Sequence, residues 1–346
     1  MAKKILIAPM DWGLGHTSRC IPLAQHYHSQ GHHIFFAGNT LQQQLFTASC
    51  PFVTTLDLDG YRISYPQEGR HFMLKMAMQL PRLQQTITRE QQWLRQQMQH
   101  HAFDVILSDN RYGLYHPAAQ SILLTHQLHI QTGSRLGNRI IRHKTQQLIN
   151  RFDACWVADD AHIQLAGILS DPISLNIPAR YIGWLSQFQL KAYISPHPLQ
   201  GQPYVLAVLS GPEPMRTQLE ALLLKQMKAL PGQQFIMTGG TLQQPGHVPA
   251  NVRYIPLAGS QEMYTYLQHA DMVISRSGYS TVMDVICMQR PALFIPTPGQ
   301  TEQELIARTL QEKEWFSCSG QEHLDISAPP VLPYTAPAFR SEIPDL

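Results

Sequence analysis

The stretch ILIAPMDWGLGHTSRC, residues 5–20, runs from an apolar segment through a two-glycine loop toward a helix-like segment, Cys20–Gln30. The apolar run Ile5–Ala8 suits a buried strand, and Gly13 and Gly15 let the backbone turn sharply between that strand and the helix. Amide groups at the positive end of the helix could then cradle a phosphate. The loop lacks the third glycine of G-x-G-x-x-G and the Lys-Ser/Thr of a P-loop, so both phosphate fingerprints fail. It presents His16 instead, at the mouth of a sheet, where an imidazole can act as a general base. The competing reading of His16 is a helix cap.

The same unit of apolar strand, loop and helix recurs along the first half, as a parallel sheet with crossover helices requires. Strands are expected at Lys4–Ala8, His33–Ala37, Val53–Leu56, Val105–Leu107, Ser121–Thr125 and Ala154–Val157. A basic, Met-containing segment over residues 71–99 has mostly helical spacing and should be kinked or divided by Pro81. The periodicity lapses between 185 and 202. The pattern then restarts with strands expected at Tyr204–Leu209, Gln234–Thr238, Val252–Ile255, Met272–Ser275 and Ala292–Pro296, and helices at Met215–Ala229 and Tyr279–Met288. The expected fold class is therefore α/β, with two Rossmann-like domains facing across a cleft: residues 1–190, residues 200–325, and a Pro-rich tail over 326–346. Five prolines deny that tail a regular helix and leave a strap on the body or disorder.

Composition narrows the function. In 346 residues, 44% are hydrophobic and 14% charged with a net charge of +2, which argues against disorder and against a dedicated nucleic-acid binder. Five scattered cysteines without C-x-x-C spacing point to a reducing cytoplasm and no zinc ribbon. No stretch approaches the length of a membrane span, so a soluble cytoplasmic protein is expected, with peripheral contact at the inner membrane face left open.

FDVILSDNRYG ends a strand with Asp109, at the carboxyl edge of the sheet that carries His16. An aspartate there can fix the tautomer of the imidazole and stabilise its protonated form, the alternative being a helix cap. Asp104 begins that strand and points to the opposite edge. In the second half, ISRSGYSTVMDV (274–285) closes a strand and opens a helix at Ser277, Gly278, Tyr279, Ser280 and Thr281, whose amides and hydroxyls favour a diphosphate. Asp284, one turn deeper, could accept hydrogen bonds from ribose hydroxyls. LSGPEP (209–214) places Ser210 and Gly211 after the first strand of that half. IPTPGQTEQELIA (295–307) follows another strand with Gln300, Thr301, Glu302 and Gln303, which suit sugar hydroxyls. Main-chain groups near Ile255–Leu257 are expected to meet the nucleobase. Each loop alone could be an ordinary turn before a capped helix.

GLGHTSRCIPLA, SRSGYSTVMD and PTPGQTEQ, in that order, resemble the GT-B glycosyltransferases that include the peptidoglycan N-acetylglucosaminyltransferase and plant galactolipid synthases, over roughly residues 3 to 315. The resemblance implies a nucleotide-diphosphate-sugar donor, a UDP-sugar foremost, held mainly by the C-terminal domain. It implies an acceptor on the N-terminal domain, and inversion at the anomeric carbon with no metal and no separate cofactor. By the same resemblance His16 is the base, Asp109 its support, Ser277–Thr281 the diphosphate site, Asp284 the ribose contact in place of the usual glutamate, and Glu302–Gln303 the sugar-binding pair. Gly13, Gly15, Ser210, Gly211, Gln300 and Thr301 complete the expected donor set. The leading expectation is a hexosyl- or N-acetylhexosaminyltransferase working on a glycan or lipid-linked acceptor of the cell envelope. G-x-G-H-x-x-R-C also resembles hydrolases of nonulosonic-acid pathways, so a nucleotide-sugar hydrolase is the runner-up. A non-catalytic nucleotide-sugar-binding protein and a 2-epimerase rank below it.

Overall fold

The computed structural model describes residues 1–11, 13–61, 80–130, 135–190, 194–211, 213–328 and 334–346. The described residues form two compact units, the first containing residues 1–61, 80–187 and 340–346 and the second the remainder.

In the first unit, strands β1 (Lys4–Pro9), β2 (His33–Gly38), β3 (Thr54–Asp57), β4 (Val105–Asp109), β5 (Gln120–Thr125), β6 (Ala154–Val157) and β7 (Ala179–Tyr181) form one sheet in the order β3-β2-β1-β4-β5-β6-β7. Every pairing in it is parallel. Helices α1 (Leu14–Ser29), α2 (Thr40–Ser49), α3 (Leu80–His101) and α4 (Arg135–Ile149) lie between the strands. A parallel sheet covered on both faces needs apolar residues throughout, and β1 is buried from Ile5 to Pro9. Leu6, Ala8, Ile106, Leu94 and Phe103 form one core cluster. Leu123, Cys155, Val157, Ile149 and Phe152 form another.

One expectation changes here. Helix α1 begins at Leu14 rather than Cys20, so His16 sits in its first turn and Gly15 is helical. Only Gly13 takes the unusual conformation, φ 84° and ψ 169°, a region essentially reserved for glycine. Pro81 stands in the first turn of α3 as bounded here, where a missing amide costs no helical bond. The earlier part of the 71–99 segment, up to 79, lies outside the described residues.

The second unit repeats the scheme. Strands β8 (Tyr204–Val208), β9 (Gln234–Thr238), β10 (Val252–Ile255), β11 (Met272–Ser275), β12 (Ala292–Phe294) and β13 (Ser317–Cys318) form a parallel sheet in the order β10-β9-β8-β11-β12-β13. Helices α5 (Met215–Lys228), α6 (Ser260–His269), α7 (Tyr279–Cys287) and α8 (Thr301–Glu312) connect them. Ala207, Leu219, Leu223, Phe235, Ile274 and Leu293 pack the core of this unit.

The end of the tail is a strap on the first unit. Ser341 forms an antiparallel bridge with Gly183, Trp184 N–H donates to the Arg340 carbonyl at 2.7 Å, and Glu342 N–H donates to Ile182 O at 2.8 Å. A Cβ on Gly183 would lie 2.6 Å from the Arg340 carbonyl oxygen, so glycine permits the approach. The buried Tyr27 hydroxyl donates to Pro344 O at 2.7 Å and holds the last turn of the strap against α1.

Candidate active site

At the carboxyl edge of the first sheet, β1 and β4 are neighbours, and the residues that follow them converge. His16 Nδ1 lies 3.1 Å from Asp109 Oδ2, with 15% of the His16 side chain exposed and 1% of Asp109. Asp109 also holds Arg19, whose Nε donates to Oδ2 at 2.8 Å and whose Nη2 donates to Oδ1. Arg19 is as buried as Asp109 and extends to two imidazoles, with Nη2 2.9 Å from His16 Nδ1 and Nη1 2.8 Å from His126 Nδ1. Burial works against the Asp109 carboxylate, but the Arg19 charge, with His16 beside it, outweighs burial and holds the group well below the usual carboxylate range. Cys20 Sγ is 3.8 Å from the same carboxylate. Burial and the Asp109 charge push that thiol up, which leaves it inert as a nucleophile. Asp104, at the other end of β4, accepts from Lys4 N at 2.7 Å, away from this cluster.

The loops around the pair are tied from below. Gln42 Nε2 donates to Met10 O and to Thr17 Oγ1, both at 3.1 Å, fixing the loop that carries Gly13. Arg111, fully buried, reaches Pro9 O with Nε at 2.8 Å and Asp59 O and Glu90 Oε1 with Nη1 at 3.0 Å. Asn110 between them takes φ 57°, a left-handed conformation that asparagine tolerates and that turns the chain directly after Asp109.

In the second unit, β8, β11 and β12 are adjacent, so the three loops expected to bind the donor share one carboxyl edge. Gly278 is the N-cap of α7 with no side-chain cap, and Tyr279, Ser280 and Thr281 form the first turn. Ser277 Oγ donates to Gln303 O at 2.9 Å, and Gln303 Oε1 accepts from Thr297 N at 2.9 Å. Gln303 thus locks the turn before α8, which carries Gln300 as its N-cap and Thr301 and Glu302 in its first turn. Gly211, at φ 104°, turns the chain after Ser210, and Asp284 lies partly exposed in α7. Near the expected base site, Ile255 O accepts from Gly239 N at 2.8 Å and Pro256 O from Thr241 N at 3.0 Å.

Arg276 ties the loops together. Its Nη1 donates to Ile295 O and Pro296 O at 3.3 and 3.2 Å, and its Nη2 to Met215 O at 2.9 Å and Gln321 Oε1 at 2.7 Å. All four acceptors are uncharged oxygens, and burial lowers the guanidinium to about 10.

Residues 219–325 match the Glycosyltransferase family 28 C-terminal domain. An uncharacterized glycosyltransferase from Methanosarcina acetivorans is 24% identical over 349 residues, covering 90% of this chain and 84% of its own. A Prochlorococcus marinus protein named UDP-N-acetylglucosamine--N-acetylmuramyl-(pentapeptide) pyrophosphoryl-undecaprenol N-acetylglucosamine transferase is 30% identical over 118 residues, 33% of this chain and 32% of that one. Among solved structures, the glycotransferase of kitacinnamycin superposes with a TM-score of 0.66 at 14% identity, over 94% of this chain and 87% of the other. Spinosyn rhamnosyltransferase complexed with thymidine diphosphate gives 0.58 at 13% identity, over 91% and 86%. Identities this low speak for the fold. The chain is a glycosyltransferase of the GT-B fold whose residues 219–325 are similar to the family 28 C-terminal domain.

Gly13 and Gly15, expected among the donor-binding groups of this glycosyltransferase, stand on the first unit beside His16. The residues that sequence reasoning missed are Arg19 and His126. Arg19 follows His16 by three positions, which on a helix places both on one face. His126 directly follows β5, and the register Asp109↔Leu124 sets it one strand over from Asp109. Arg276 lies inside the quoted SRSGYSTVMD block, but its burial beneath three loops could not be read from that block. Among the described residues no helix is long and apolar enough to cross a membrane.

Proposed function

We propose that this glycosyltransferase moves a sugar from a nucleotide-diphosphate sugar, a UDP-sugar foremost, to a hydroxyl of a glycan or lipid-linked acceptor, with inversion at the anomeric carbon. The observation that carries the reading is the buried Asp109 carboxylate 3.1 Å from the partly exposed His16 imidazole. In the base-competent form Nδ1–H donates to Asp109 Oδ2, and Nε2 takes the proton of the acceptor hydroxyl. The acceptor oxygen bonds to the anomeric carbon as the bond from that carbon to the phosphate oxygen breaks, and the nucleoside diphosphate departs with the electron pair. A single displacement of this kind inverts the configuration.

The second unit suits an anionic leaving group. The first-turn amides and the dipole at the start of α7 favour negative charge, and Arg276 beneath them is a buried cation with no carboxylate among its four hydrogen-bond acceptors. Ser210, Gly211 and Ser277–Thr281 are assigned to the diphosphate and Asp284 to the ribose hydroxyls. Gln300, Thr301 and Glu302 are assigned to the sugar, with Gln303 shaping their turn. The Prochlorococcus relative's name pairs a UDP-sugar with a polyprenyl-pyrophosphate acceptor, which supports a lipid-linked hydroxyl compound and contact at a membrane surface here.

The test incubates purified protein with UDP-, GDP-, dTDP- and CMP-sugars, with and without lipid extract, beside His16→Ala, and identifies the products by mass spectrometry. Nucleoside diphosphate release that needs extract, yields a heavier glycan or lipid and disappears in the variant is the expected result. Free sugar released without any acceptor would overturn transfer in favour of hydrolysis.

A further inference from the structure

Arginine only donates hydrogen bonds, having no lone pair to offer. Arg19 Nη2 stands 2.9 Å from His16 Nδ1, closer than Asp109 Oδ2 at 3.1 Å, and Nε and Nη2 together already engage both carboxylate oxygens. Both Arg19–imidazole contacts are satisfied when the second Nη2 hydrogen points at a lone pair on His16 Nδ1 and Nη1 points at a lone pair on His126 Nδ1, 2.8 Å away. With Arg19 so placed, the proton of the neutral His16 ring sits on Nε2. That tautomer cannot accept a proton from an acceptor hydroxyl at Nε2, and the Asp109 contact at Nδ1 carries no hydrogen bond.

We infer that Arg19 is a positioning residue that governs the tautomer of His16, and that the base form arises only when Nη2 turns away from Nδ1. This rests on His16 being the base. The exchange takes one proton from Nε2 to water and brings one from water to Nδ1, without a change in charge. Nε can keep its bond to Asp109 Oδ2 throughout, so the ion pair survives the turn. His126, 3% exposed, anchors the other arm of the guanidinium and limits how far Arg19 can move. A bound acceptor whose hydroxyl donates to a lone pair on Nε2 selects the base form by population shift.

Two-bond 1H–15N correlation spectra of the 15N-labelled full chain, with His16 assigned through His16→Gln, decide the matter. In the wild type without substrate, Nδ1 is expected to show the resonance of an unprotonated nitrogen and Nε2 that of a protonated one. In Arg19→Lys, which keeps the charge beside Asp109 but lacks the second arm, and in Arg19→Met, the assignment should reverse. A wild type with Nδ1 protonated at rest, or a folded Arg19→Lys with the wild-type tautomer, would overturn the inference. Neither spectrum depends on sugar transfer. Failure of the transfer assay leaves the tautomer result standing, and transfer lost in His16→Ala beside a protonated resting Nδ1 removes only the role of Arg19.

Discussion

Removing the Asp109 carboxylate should cost more stability than most single substitutions, and the structure says why. Asp109→Ala deletes two charge-assisted hydrogen bonds to Arg19, each worth about 1.5–3 kcal/mol, and takes the Asp109 charge away from a guanidinium that is 1% exposed. The sum agrees with the roughly 3–5 kcal/mol lost when one partner of a buried ion pair is truncated. Arg19→Met should cost a comparable amount at neutral pH, reduced because Asp109 can take up a proton. The double variant Arg19→Met/Asp109→Leu removes both charges and fills the space, so it should be less destabilised than the sum of the two single changes by several kcal/mol, on the order of the pair's own coupling. The two units can unfold separately, so the readout must report on the first alone: hydrogen exchange of the β4 amides, Val105–Asp109, across a urea series. Single variants each costing under about 1 kcal/mol, or a double variant that is simply additive, would show that Arg19 and Asp109 are not the coupled buried pair described.

Acid should act on the same site. The folded-state Asp109 carboxyl lies below its ordinary value, so its contribution is fully present above the ordinary carboxylate range and lost as pH falls through the lower folded value. Stability of the first unit should therefore fall more gently below about pH 4 in Asp109→Asn than in the wild type, which hydrogen exchange of the β4 amides across an acid series would check. Gly13→Ala meets no atom within 4 Å, so its cost is conformational alone, about 1–3 kcal/mol, with transfer falling as His16 shifts. Tyr27→Phe removes a buried hydrogen bond to Pro344, at about 1 kcal/mol, and should speed hydrogen exchange in Arg340–Leu346 while leaving β8–β13 unchanged. Ser277→Ala breaks the link to Gln303, which should raise the donor KM several-fold at a stability cost of about 1 kcal/mol in a urea titration.

The sheets were legible because a parallel strand is buried on both faces and reads as an apolar run. Ile5–Ala8 and Tyr204–Leu209 stand out for that reason. Ala179–Tyr181 did not, because it is a short edge strand exposed along two of its three residues. The start of α1 lies six residues before Cys20, since Gly15, which reads as a loop residue, is helical here. The pairing of His16 with Asp109 followed from two strand ends on one edge. The two further members of the cluster did not follow, because a buried arginine is uncommon enough that Arg19 reads as a solvated helix residue. His126 falls in a polar run, THQLH, where a histidine is usually on the surface.

The strap over Gly183 sets an order of assembly. Chains emerge from the ribosome N-terminus first, and domains commonly fold as they appear. The edge formed by Ile182–Trp184, and the hydroxyl of Tyr27, receive their partners from Arg340–Leu346, which are synthesised after the whole second unit. The unit that begins first is completed last. Until then the Ile182 carbonyl and the Trp184 amide, just past β7, lack these main-chain partners, and such groups are where nascent chains associate wrongly. A message broken before Arg340 would release a chain with that edge still open, so the strap makes completion of the first unit depend on translation through Arg340–Leu346.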